Sequence, residues 1–227
     1  MVGIVVAMPT EAAPFLRNGV ESETEVCGKR FYKLAGADAV LVACGIGKVN
    51  AAYSTTLLID RYSPDVILNC GVSGGLSSAE RADLPEVKIL DVIVATGCVQ
   101  HDVDTSPIGD PKGLVSTVNM IVFPTDKEAS EIIKSSCECK EGICASGEQF
   151  VASHERKEEI ISLFNAIACD MESGAVAQCA YIAGKKYVCV RCVSDCGDGR
   201  APEDYGRFCK EAAEKIYEAV VPLIYKR

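Results

Sequence analysis

No apolar run in this chain approaches the ~18 residues that a membrane-spanning helix requires, which excludes a helical membrane protein. Positive charge is also scarce: 23 lysines and arginines stand against 32 aspartates and glutamates, a net charge of −9. That balance leaves no footprint for nucleic acid or for an anionic membrane surface. Histidine is nearly missing, with only His101 and His154. Gly71-Val72-Ser73-Gly74-Gly75 has Gly-x-Ser-x-Gly spacing but is read as a glycine turn after a strand, so a Ser/His/Asp hydrolase is not expected. Neither the dinucleotide fingerprint Gly-x-Gly-x-x-Gly nor the Gly-Lys-Ser/Thr ending of a P-loop occurs, which disfavours nucleoside triphosphates.

What is present suits one globular domain over residues 1–227, with 48% hydrophobic residues and enough length for a sizeable core. Thirteen cysteines are scattered along the chain. Cys44, Cys70, Cys98, Cys189 and Cys192 lie inside apolar runs, where cysteine acts as a small hydrophobe. Their odd number and the lack of a cationic-then-apolar leader lead us to expect a reducing cytoplasm. Cys137, Cys139 and Cys144 lack the two-residue spacing of a zinc knuckle, so a surface loop and no metal are expected there.

Continuous apolar runs at residues 2–7, 40–43 and 65–69 predict strands buried on both faces. Residues 23–34 predict a hairpin turning at Gly28-Lys29, and residues 91–98, 142–146 and 187–193 predict further strands. Helices are expected over 11–16, with Thr10 as its cap, and over 49–61, 126–136, 153–163, 171–183 and 204–225. The stretch Gly71-Val72-Ser73-Gly74-Gly75 predicts a turn, and the polar segment 100–113 a functional loop. Alternating apolar strands and helices imply an α/β fold: a central, mixed and mostly parallel sheet with helices on both faces.

Three carboxylates bracket one helix–strand unit: Asp170 and Glu172 before the helix, Asp195 at the end of the next strand. Helix termini collect acids for ordinary reasons, but Asp195 follows a run of buried residues. A carboxylate there is costly unless hydrogen-bonded or protonated, and a raised pKa would suit a general acid. Glu11 follows the first strand at a helix start, where favourable interaction with the helix dipole is the plainer explanation. The glycines at 45, 47, 71, 74 and 75 permit close backbone approach to a ligand, although glycines after strands usually mark tight turns.

Six segments, taken in order, carry a resemblance. They are Gly3-Ile4-Val5-Val6-Ala7-Met8-Pro9-Thr10-Glu11, then Cys44-Gly45-Ile46-Gly47-Lys48-Val49-Asn50-Ala51-Ala52, then Pro64-Asp65-Val66-Ile67-Leu68-Asn69-Cys70-Gly71-Val72-Ser73-Gly74-Gly75. Ser146-Gly147-Glu148-Gln149-Phe150, Asp170-Met171-Glu172 and Arg191-Cys192-Val193-Ser194-Asp195 complete the set. Together they resemble the 5′-methylthioadenosine/S-adenosylhomocysteine nucleosidases of the nucleoside phosphorylase superfamily. The resemblance implies a nucleoside phosphorylase-like fold, a cytoplasmic homodimer, no metal or organic cofactor, and hydrolysis of the N-glycosidic bond of adenine thionucleosides. It implies Asp195 as the acid at adenine N7, aided by Ser194, and Glu11 as the group activating water. Glu172 and Met171 would hold the ribose, with Val72 and Ser73 nearby and Arg191 beside the acid. Phe150 would stack on the base while the Val151 backbone reads its edge. Met8, Ile46 and Tyr205 would line the 5′-thioalkyl pocket. The loop 100–113 would help close the neighbouring subunit's site.

Glu11 occupies a loop where related phosphorylases carry an arginine for phosphate, and Asn69-Cys70 offers none before Gly71, so water is the expected nucleophile. The glycine stretch departs from the family's Gly-Ser-Ala-Gly-Gly, so the polar contact near the ribose is either shifted to Ser73 or lost. A futalosine or adenosine hydrolase, a phosphorylase and a non-catalytic nucleoside sensor are the alternatives.

Overall fold

The first strand, β1 (Val2–Val6), is buried at every position, as an uninterrupted apolar run between two strands must be. A computed structural model describes residues 1–225. After β1 come α1 (Pro9–Leu16), β2 (Val20–Val26), β3 (Lys29–Leu34), β4 (Ala39–Ala43), α2 (Lys48–Tyr62) and β5 (Val66–Gly75). They are followed by β6 (Val92–Gln100), β7 (Phe123–Pro124), α3 (Lys127–Lys134), β8 (Lys140–Ser146) and α4 (His154–Phe164). The chain closes with β9 (Ala166–Asp170), α5 (Ser173–Ile182), β10 (Lys186–Asp195) and α6 (Ala201–Ile224). No helix among the described residues is long and apolar enough to cross a membrane.

The strand order is β10-β6-β8-β9-β5-β1-β4-β3-β2, with β7 on β6. β1 pairs in parallel with both β4 and β5, and β10 with β5, while β2–β3–β4 is an antiparallel meander. β5 is the branch point. Its first half lies between β1 and β10, and at its end Gly74 and Gly75 pair with β9 in place of β1, while Gly74 still pairs with Asp195 of β10. Because β10 pairs with both β5 and β6, the strands β5, β10, β6, β8 and β9 close on themselves. Helices cover both faces. Phe15, Leu41, Ile216 and Leu223 belong to one core cluster, and Val5, Leu58, Ile67 and Val176 to another. A third, smaller core packs α4 through Ile160 and Phe164 against Leu76 and Cys169. Each such side chain removed from water contributes roughly 1.5–3 kcal/mol before entropy is counted.

The turn of the β2–β3 hairpin has positive φ at both Cys27 (48°) and Gly28 (75°), the twist that two-residue hairpins favour. Asp126 caps α3 by accepting the Ala129 N–H at 2.9 Å, and Ser153 caps α4 at the Arg156 N–H.

Four expectations are corrected. Thr10 does not cap α1: Met8 is the N-cap residue, and the Glu11 carboxylate reaches back to its N–H. Residues 71–75 are not a turn but the second half of a ten-residue strand. Glycine there makes room for side chains: a Cβ on Gly71 would stand 2.6 Å from Glu11 Oε1, and one on Gly74 would stand 2.9 Å from Cys169 Sγ. Cys144 lies not in a surface loop but buried in β8. Strand β9, with the short β7, was not expected at all.

Candidate active site

The parallel strands β1, β5 and β10 aim their carboxyl ends at one place, where open α/β sheets gather ligands. A cavity of about 320 Å³ opens there, lined by Ala7 and Met8 after β1, by Val72, Ser73 and Gly74 of β5, and by Ser194 and Asp195 of β10. Glu11 of α1, Ile46, Gln149, Phe150, Val151, Cys169, Asp170, Met171, Glu172 and Tyr205 complete the wall. Four of these residues are acidic, and none is arginine, lysine or histidine.

The hydrogen bonds separate the four carboxylates. Asp170 has a cation: Arg191 donates to its Oδ2 through Nε at 2.7 Å and Nη2 at 2.5 Å. Ser146 and Ser173 hydroxyls reach its Oδ1 at 2.7 and 2.9 Å. Arg191 also donates to the Asn69 carbonyl and the Asn69 side chain. Asp170 and Arg191 are thus a buried pair that neutralise each other, and Arg191 stands behind the cavity wall, not on it. Its guanidinium is engaged by Asp170, Asn69 and the Val190 carbonyl.

Glu11, Glu172 and Asp195 bond only to backbone N–H groups or a hydroxyl. Glu11 Oε2 accepts the Ala7 and Met8 N–H groups at 2.8 and 2.9 Å, and Oε1 accepts the Val72 N–H at 2.9 Å. Three donors fix its orientation, yet burial still pushes its pKa above the usual carboxylate value. Glu172, the N-cap residue of α5, accepts the Gly47 N–H at 2.8 Å. Burial, helped by the negative charge of Asp170, pushes its carboxyl up to about 7. Asp195 Oδ2 accepts from the Ser194 hydroxyl at 3.0 Å and Oδ1 from the Gly197 N–H at 3.0 Å. Burial again outweighs those bonds and raises its pKa. Groups perturbed in this way inside a cleft are candidates for proton transfer.

The apolar wall has its own order. Phe150 and Tyr205 meet edge to face with centroids 5.9 Å apart, and the Tyr205 hydroxyl donates to Met8 Sδ at 3.0 Å. Ile46 and Phe150 stand about half exposed at the mouth, a surface ready to cover an apolar ligand. Gly71 and Gly74, which seat Glu11 and Asp195, are three residues apart on β5, about 10 Å by strand rise.

The structure therefore brings Met8, Glu11, Ile46, Val72, Ser73, Phe150, Val151, Met171, Glu172, Ser194, Asp195 and Tyr205 to one cavity. Ala7, Gly74, Gln149 and Cys169 line it too and were missed, although Gln149 and Cys169 directly precede residues that were named. His101 is buried outside the wall, with Nδ1 accepting from Arg156 at 2.7 Å.

Residues 1–224 match the phosphorylase superfamily model, and the chain belongs to that family. Within it, the chain is 33% identical to the 5′-methylthioadenosine/S-adenosylhomocysteine nucleosidase of Staphylococcus aureus, over 99% of each chain. A Helicobacter pylori structure of a nucleosidase mutant with 5′-methylthioadenosine in its active site superposes with a TM-score of 0.88 at 31% identity, covering 96% of this chain and 95% of that one. A mutant futalosine hydrolase, also from Helicobacter pylori, superposes with a TM-score of 0.89 at 31% identity, covering 96% of both chains.

Proposed function

We propose that the protein hydrolyses the N-glycosidic bond of 5′-methylthioadenosine and S-adenosylhomocysteine, releasing adenine and the thioribose. The observation that carries this reading is the cavity's charge. Three carboxylates without a cationic partner, Glu11, Glu172 and Asp195, face a space with no arginine, lysine or histidine on its wall. Such a wall repels phosphate, favours a neutral nucleophile, and stabilises an electron-poor ribose.

The chemistry follows the two-carboxylate logic of glycoside hydrolysis. As the C1′–N9 bond breaks, negative charge gathers on the purine and positive charge on the sugar. Protonated Asp195 delivers its proton to N7, with its other oxygen held by the Gly197 N–H and Ser194 beside it. Such an acid contributes ~10²–10⁴ in rate, about 3–5 kcal/mol of barrier. Ionised Glu11 takes a proton from the water whose oxygen forms the new bond to C1′. Glu172 and Met171 grip the ribose, Phe150 stacks on the base with the Val151 backbone at its edge, and Met8, Ile46 and Tyr205 enclose the 5′-thioalkyl group. Val72 and Ser73 lie along the ribose.

The chain acts in the cytoplasm as a homodimer on this reading. Supporting it, Ile46, Val49 and Tyr53 make an exposed apolar stripe at helical spacing beside the cavity mouth, and Val49 is 81% exposed. Ile108, in the loop 100–113 that would reach the neighbouring site, is also exposed. The futalosine hydrolase likeness supports a second reading, hydrolysis of a nucleoside with a different 5′ group. Base release from 5′-methylthioadenosine, S-adenosylhomocysteine, adenosine, inosine and futalosine, each with and without phosphate, is the test. Adenine released from the thionucleosides at a rate indifferent to phosphate is the expected result. Release only with phosphate would sink the reading, and turnover of futalosine alone would replace it with the second.

A further inference from the structure

The cavity mouth is flanked by two segments far apart in sequence. One, leading into α2, carries Ile46 and the Gly47 N–H that holds Glu172. The other, residues 147–150, carries Gln149 and Phe150. Three charged side chains that do not line the cavity tie the segments together. Asp102 Oδ1 accepts from the Lys48 ammonium at 2.6 Å, and its Oδ2 accepts the Glu148 N–H at 2.9 Å. The Glu148 carboxylate crosses back, with Oε1 accepting the Lys48 N–H at 2.6 Å. That N–H opens α2, where a carboxylate also meets the positive end of the helix.

The neighbouring contacts fit the same arrangement. Gly47 leaves the crossing free, since a Cβ there would stand 2.6 Å from Glu148 Oε2. Lys48 Nζ donates to Gln100 Oε1 at 3.2 Å, and Arg156 Nε donates to Gln149 Oε1 at 3.0 Å. The Lys48 and Asp102 side chains are only 18% and 25% exposed. Burial pushes the Asp102 carboxyl up, but Lys48 and the Glu148 N–H outweigh it and hold the group below its ordinary value. An isolated surface ion pair does little, whereas a network with shared members can hold a geometry.

We propose that Lys48, Asp102 and Glu148 form an ionic clasp across the cavity mouth, acting as positioning residues that set Glu172 and Phe150 for the substrate without touching it. The proposal rests on the nucleosidase reading for its kinetic effect, but the clasp itself is a statement about the ligand-free protein. Glu172 and Phe150 hold ribose and base before the bond breaks. Loosening them therefore weakens ground-state and transition-state binding alike and appears in KM rather than kcat.

The test combines steady-state kinetics on 5′-methylthioadenosine with amide hydrogen exchange of the free protein. Asp102→Ala and Lys48→Met are each expected to raise KM about tenfold while kcat stays within about threefold. The double variant should be no worse than the poorer single one, because both remove the same link. Lys48→Arg, which keeps the cation, should stay near the parent. The Glu148 amide should exchange about tenfold faster in Asp102→Ala. Added salt should raise the KM of the parent and leave that of the double variant unmoved. Unchanged KM in both single variants, additive losses in the double, or unchanged Glu148 exchange would each overturn the clasp. If the parent releases no base, the nucleosidase reading fails and exchange alone decides the clasp. Should Asp102→Ala not fold, the contrast of Lys48→Met with Lys48→Arg decides it, with Glu148 exchange read in Lys48→Met.

Discussion

Of the four acids on the cavity wall, Asp170 alone meets a guanidinium, and the other three bear the cost of burial unrelieved by a contacting cation. Asp195→Asn keeps size and one acceptor oxygen but cannot release a proton, so kcat/KM should fall about 10²–10⁴-fold while the melting temperature holds. Turnover within a few-fold of the parent would remove Asp195 from the role of acid. Glu172 gives a prediction about stability. Its folded pKa, about 7, lies above the unfolded carboxyl value, so the folded state binds the proton more tightly. Stability from this group is therefore full below the unfolded pKa and declines as pH rises through about 7. Glu172→Gln should raise stability at pH 8 and flatten that decline, as denaturant midpoints across pH would report. Glu172 and Asp195 were legible because they flank a recognisable helix–strand unit, whereas Glu11 read from spacing as a helix-dipole carboxylate and was singled out only by the resemblance. The pairing of Arg191 was not legible: its partner Asp170 lies 21 residues earlier, and only the register of β9 and β10 around β5 shows the two engaged.

At the level of elements, strands buried on both faces were easy to read because they need unbroken apolar runs, as β1 and β4 have. β9 escaped notice, being five residues that follow directly on α4 and end in an aspartate. The second half of β5 was misread because glycine ordinarily punctuates chains, whereas here its missing Cβ admits two carboxylates. Gly71→Ala tests that explanation. The new methyl would stand 2.6 Å from Glu11 Oε1, against a carboxylate that three N–H groups already fix. Displacement of the base by about 1 Å should cost about 10²-fold in turnover, with far smaller loss at a surface position such as Gly199, where nothing lies within 4 Å. Equal losses at both positions would refute the seating argument. Away from the site, Asp126→Ala should remove the cap of α3 for about 1 kcal/mol, measured by thermal melting, with kinetics unaltered.

For the molecule as a whole, the apolar stripe on α2 and the exposed Ile108 have a consequence in solution. If copies pair through them, Val49→Asp should yield monomers by light scattering and should weaken substrate binding along with dimerisation, because the loop 100–113 would no longer reach a neighbour. A variant that stays dimeric would move the interface elsewhere. The sharing of β5 between the open sheet and the closed ring has a different consequence. The seats of the proposed acid and base belong to the one strand whose loss would dismantle both halves, so local opening there costs as much as global unfolding. Phe150, Ile46 and the loop 100–113 hang from the rim and carry no such obligation. Lineages descended from this scaffold are thus free to trade one 5′ substituent for another by rewriting the rim, while the bond-breaking apparatus, bound to the integrity of the whole chain, stays the same.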